Sequence, residues 1–127
     1  MKRLTLTLGL VVLAAVTAAC SSASANPSAP AGSADPNAPV VVAQGNAFSP
    51  ATVTVPADKA FSLTLDNKDG APHNVSIYTD SGASKSISAG EIVSSTTTTQ
   101  QVPALAKGTY FFRCDVHHEM TGTIVAS

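Results

Sequence analysis

An all-β fold, a Greek-key β-sandwich or barrel of seven to eight strands, is predicted for residues 40–127, and three observations predict it. Short runs rich in Val, Ile, Thr and aromatic residues alternate with breaks of Gly, Pro, Asp and Asn. Apolar residues in these runs follow a period of two, and no window carries a helical period. The runs crowd one domain-sized stretch without internal repeats.

Taken from its start, the chain opens on an address. Lys2 and Arg3 form a basic region, Leu4 to Val16 are mostly apolar, and Thr17-Ala18-Ala19-Cys20 closes with small residues before a cysteine. Residues 1–19 therefore read as a signal peptide, with an apolar run too short to span a membrane. The pattern resembles a bacterial lipoprotein signal, which implies cleavage before Cys20 and a lipid on that residue, although Thr17 stands where such signals usually carry Leu. Ordinary secretory cleavage near Ala19 is the alternative. Either route exports the domain, and a lipid anchor would hold it at the outer face of a bacterial membrane, periplasmic or cell-surface.

Residues 20–39 read as a flexible linker. From 21 to 39 the chain uses only Ser, Ala, Asn, Pro, Gly and one Asp, a composition that cannot bury apolar surface. Strand-like texture then begins, with runs at Val40 to Val42, Ala51 to Val55, Phe61 to Leu65, Val75 to Tyr78, Ile92 to Gln101, Tyr110 to Arg113 and Thr121 to Val125. Phe61, Leu63 and Leu65 share one face and Ser62 and Thr64 the other, as in a half-buried antiparallel strand. Asp66 to Gly70 reads as the turn that follows. Gly108-Thr109-Tyr110 resembles a tyrosine corner, in which a phenol near a strand start ties back a loop. If Cys114 points inward, so do Phe112 and Tyr110, while Phe111 and Arg113 face outward.

Chemistry concentrates near the C-terminus. Cys114-Asp115-Val116-His117-His118-Glu119-Met120 holds a thiol, two imidazoles and a thioether, and the remaining histidine is His73; one methionine besides the initiator and one cysteine besides Cys20 complete the soft donors. Two imidazole nitrogens, a thiolate and a weak axial thioether make the donor set of a blue-copper electron-transfer site, compatible with Cu(I) and Cu(II). The spacing Cys-x-x-His-x-x-Met lets one tight loop present Cys114, His117 and Met120, with His73 supplied by a neighbouring strand. Three other readings compete. A lone Cys, His or Met is usually core packing. Structural zinc prefers paired Cys and His clusters and has no use for Met. A catalytic Cys–His pair needs a third group to orient the base, and the sequence offers none.

These residues resemble the cupredoxins, the family of plastocyanin, azurin and amicyanin, in which an isolated His followed by Asn precedes a C-terminal loop of Cys, His and Met; the spacing is most similar to amicyanin's. The resemblance implies a cupredoxin-like domain over residues 40–127 with one type 1 copper ion held by His73, Cys114, His117 and Met120. It implies that Asn74 tethers the two ligand segments and helps hold the thiolate, and that His117 presents its ring edge at the surface. Partners would be a redox donor and a redox acceptor, with the lipid anchor adding a membrane. The protein would be an electron carrier, not an enzyme, and a monomer; a copper-holding or copper-delivery protein without redox cycling is the alternative. Val116, His118 and Glu119 depart from the family, which often has Pro in this loop, and Arg113 stands where plastocyanins carry Tyr. His118 is read as a surface residue, because adjacent residues in a tight loop rarely aim both rings at one ion. Loss of Lys2 and Arg3 on processing leaves five basic residues against eight acidic ones, a balance that fits no nucleic-acid surface.

Overall fold

The computed structural model describes residues 37–127. The signal segment 1–19, Cys20 and nearly all of the 20–39 linker lie outside the described residues.

The chain enters β1 (Val40–Gln44) and returns at once as β2 (Ala47–Ser49). Gly45 and Asn46 join them, both with positive φ (62° and 57°), the geometry a two-residue hairpin turn needs to match strand twist. There follow β3 (Thr52–Val55), β4 (Phe61–Asn67), β5 (Ser76–Tyr78), β6 (Ser86–Ala89), β7 (Thr97–Val102), β8 (Gly108–Arg113) and β9 (Thr121–Ala126). They form a four-stranded sheet ordered β2-β1-β4-β7 and a five-stranded sheet ordered β3-β9-β8-β5-β6. β1 runs parallel to β4 and β3 parallel to β9; the other pairs are antiparallel. Because β1 pairs with β4 and β5 with β8, the chain must cross repeatedly between sheets, as a Greek-key sandwich requires.

Alternation builds the core. Val41, Ala43, Leu63 and Leu65 from one sheet meet Val53, Val55, Ile77, Phe112, Ile124 and Ala126 from the other, all buried. Each large side chain so removed from water contributes roughly 1.5–3 kcal/mol. Gly122 faces Phe112 across the β8–β9 ladder, and a Cβ there would lie 2.1 Å from the ring, so the ring occupies the space a side chain would need.

The sandwich is as the sequence predicts, but four local expectations change. β2 and β6 were not expected: at three and four residues they are too short to show a period, and their neighbours β1 and β5 supply the ladder. β4 continues through Asn67, since that residue is buried and its amide donates to Ala71 O (2.9 Å) and Val93 O. The run Ile92 to Gln101 is strand only from Thr97, because the preceding residues must carry the chain from the edge of one sheet to the edge of the other. Tyr110 is half-buried rather than fully inward: its ring packs against the core while its hydroxyl reaches Ala106 O (2.9 Å), the loop tie expected of it.

One end of the sandwich gathers the β1–β2 turn and the β4–β5, β6–β7 and β8–β9 connections. Register places them together. Ala43 pairs with Asn67 at the end of β4, and Arg113 pairs with Thr121 where β8 passes into the 114–120 loop.

Candidate metal centre

His73 lies between β4 and β5, held by two backbone hydrogen bonds with Val93 (3.0 Å each) in an isolated bridge. It is completely buried. Its Nε2 is 3.3 Å from Asp69 Oδ2, so this nitrogen carries the proton and Nδ1 keeps its lone pair. Asp69 also accepts the amides of Gly45 (3.1 Å) and Asn46 (3.3 Å). The Gly45 amide foremost, with Asn46 and the His73 ring, holds the Asp69 carboxyl below the ordinary carboxylate range against the opposing cost of burial. The hairpin turn thus fixes the carboxylate that fixes the imidazole.

Cys114 follows β8 with the inward parity of Phe112, and both are completely buried. The next six residues form a loop closed by Cys114 N–H to Met120 O (3.0 Å) and Met120 N–H to His117 O (2.9 Å). Met120 is buried at its end; His117 is half-buried.

Three donor atoms converge. Cys114 Sγ is 3.9 Å from Nδ1 of His73 and 3.9 Å from Nδ1 of His117, and the two nitrogens are 3.1 Å apart. The rings tilt at 56° with centroids 4.7 Å apart. All three ligand atoms lie within 4.8 Å of one another. Two imidazole nitrogens and a sulfur turned toward one buried point, with the His73 proton committed to Asp69, form a lone-pair cluster that a soft cation would neutralise; the donor set fits copper. The backbone N–H of His117 also points to Sγ at 3.4 Å.

Asn74 bridges the segment of His73 and the loop of Cys114. Its Oδ1 accepts the Asp115 N–H (2.8 Å), and its Nδ2 lies 3.0 Å from Asp115 Oδ2, 3.1 Å from Ser76 Oγ and 3.2 Å from Gly90 O. Burial disfavours the charged form of Asp115, but hydrogen bonds from Ser76, Tyr78 and Asn74, with the charge of Arg113, outweigh it and keep the carboxyl below its usual range. Hydrogen bonding to that carboxylate, with burial, raises Tyr78 above an ordinary phenol.

His118 stays out of the cluster. It is exposed, and its Nε2 lies 3.0 Å from Asp115 O within its own loop. Around the site Val116 (43% exposed) and Ile92 (53%) present apolar surface. Asp69 is the residue sequence reasoning missed. The signal was a carboxylate four positions before a candidate His ligand, since ligating histidines usually pass their second N–H to such a group.

A family model described as a cupredoxin-like domain matches residues 9–126. None of the curated proteins searched matches the sequence. Among solved structures, a dithionite-reduced auracyanin from Roseiflexus castenholzii is similar at 20% identity and TM-score 0.61, covering 69% of this chain and 94% of that one. Auracyanin A of Chloroflexus aurantiacus, described as a "blue" copper protein, is 19% identical with TM-score 0.62, covering 69% and 96%. Amicyanin from Paracoccus versutus is 20% identical with TM-score 0.58, covering 73% and 84%. At these identities the likeness speaks for the fold.

Proposed function

The chain belongs to the cupredoxin-like family, and from that premise we propose that it is an extracytoplasmic electron carrier in which His73, Cys114, His117 and Met120 would hold one type 1 copper ion. The observation that carries this reading is the convergence of His73 Nδ1, Cys114 Sγ and His117 Nδ1 within 4.8 Å. Bound copper supplies a one-electron couple between Cu(I) and Cu(II).

The chain's own residues supply the rest. Asp69 holds the His73 tautomer, the sheets fix the depth of Cys114, and the closed loop sets His117 near the surface. A site held this firmly changes little between oxidation states, which lowers the barrier to electron exchange. It also favours a carrier over a delivery protein, whose task requires ligands that let go. Val116 beside His117, and Ile92, offer apolar surface on which a donor or acceptor would dock.

The test is one spectrum and one substitution. Cu(II) added to the wild type should give an intense thiolate-to-copper band in the visible, and Cys114→Ser should abolish it, because a hydroxyl cannot make that bond. A band that survives in the variant removes Cys114 from the ligand set. Fast electron self-exchange separates the carrier from a protein that binds Cu(I) and delivers it.

For location, the reading is an exported lipoprotein anchored through Cys20 after removal of residues 1–19, with 20–39 as tether. Cys20→Ser should then release the domain from membranes or block processing. Recovery of unmodified wild type in the soluble extracytoplasmic fraction would indicate plain secretion instead.

A further inference from the structure

The 114–120 loop is exposed at Val116, His118 and Glu119, the kind of segment that usually opens first in a native protein. Its two backbone closures lie inside the loop and do not attach it to the sheet. Yet the residue that follows Cys114 is gripped from β5 and the turn before it. Asp115 Oδ2 accepts Ser76 Oγ at 2.5 Å and Asn74 Nδ2 at 3.0 Å, and Oδ1 accepts Tyr78 Oη at 2.5 Å. Its N–H donates to Asn74 Oδ1 at 2.8 Å. Arg113 Nε stands 3.9 Å from Oδ1, with the guanidinium 5.0 Å over the Tyr78 ring.

Parity explains the arrangement. Ile77 and Phe112 pair inward, so Ser76 and Tyr78 point to the outer face of the sheet, where side chains are ordinarily wet. Both are buried nonetheless. Only a carboxylate can receive three donors there, having two oxygens and no proton of its own. Hydrogen bonds to a charged acceptor are about twice as strong as neutral ones.

We propose that Asp115 is the positioning residue of the metal centre: by taking Asn74, Ser76 and Tyr78 on one carboxylate it pins the peptide after Cys114 to β5 and sets the sulfur midway between the two imidazoles before any ion arrives. Its role toward copper rests on the blue-copper reading above; its hold on the loop does not.

The metal-free full-length chain tests the hold. Iodoacetamide modification of Cys114 is followed by mass spectrometry on the peptide that carries it, in the wild type, Asp115→Ala, Tyr78→Phe and Tyr110→Phe. Tyr110→Phe removes a hydrogen bond at the opposite end of the sandwich and controls for general destabilisation. Asp115→Ala should react faster by on the order of tenfold or more, as expected for loss of charge-assisted hydrogen bonds. Tyr78→Phe should fall between it and the wild type, and Tyr110→Phe should match the wild type. With copper bound, Asp115→Ala should shift the visible band and the reduction potential, and Tyr110→Phe should move neither. Equal thiol reactivity in Asp115→Ala and Tyr110→Phe overturns the proposal. Should Asp115→Ala not fold, a Tyr78→Phe rate equal to the wild type overturns it. A wild type without a blue band would sink the copper reading while the thiol rates still judged the latch.

Discussion

At the scale of single residues, the site depends on proton placement. Asp69 accepts a hydrogen bond from the Nε2–H of His73, which leaves Nδ1 as a donor to metal. Asp69→Ala removes that hold and should weaken copper binding by roughly 10–100-fold, measured by competition against a chelator of known affinity. Asp69→Asn, whose amide oxygen still accepts the N–H, should lose less. Met120→Leu should keep copper and raise the reduction potential, since the axial thioether tunes it; voltammetry of the two proteins compares them directly. An unchanged potential would place the Met120 sulfur outside the coordination sphere.

Among the strands, the β8–β9 pair links packing to the site. Phe112 fills the space over Gly122 and packs against Phe48 at a tilt of 54° with centroids 5.4 Å apart; Cys114 is two residues further along the same inward row. Gly122→Ala must push that ring aside, and overpacking of this kind costs about 1–3 kcal/mol. The expected result is a lower denaturation midpoint with an unchanged denaturant slope. A variant as stable as the wild type would show that Phe112 has room to move.

For the whole molecule, the buried core runs through both sheets well beyond the ligand residues, so the sandwich should fold without copper. Removing the metal should lower the melting temperature while leaving the β-sheet circular dichroism intact, because an ion that binds only the folded state stabilises it by mass action. Collapse of the signal on chelation would mean the metal organises the fold, as it does in small zinc domains.

The sequence by itself determined the fold class, through period-two alternation and turn residues, and it singled out His73, Cys114, His117 and Met120 by chemistry and spacing. Both are local signals, written within a few residues of chain. What only the tertiary structure decided are the partners that make those residues a site. Asp69 reaches His73 because a hairpin turn far upstream presents Gly45 and Asn46 to it, and Asp115 meets Ser76 and Tyr78 because β5 lies beside β8. The same holds for β6 and for the bend from Ile92 to Thr96, whose shapes answer to neighbouring strands. Asp69 leaves one spacing, four residues before His73, but the bonds that hold Asp69 and Asp115 join segments tens of residues apart and leave neither period nor spacing, so those supports became legible only once the fold had brought the segments together.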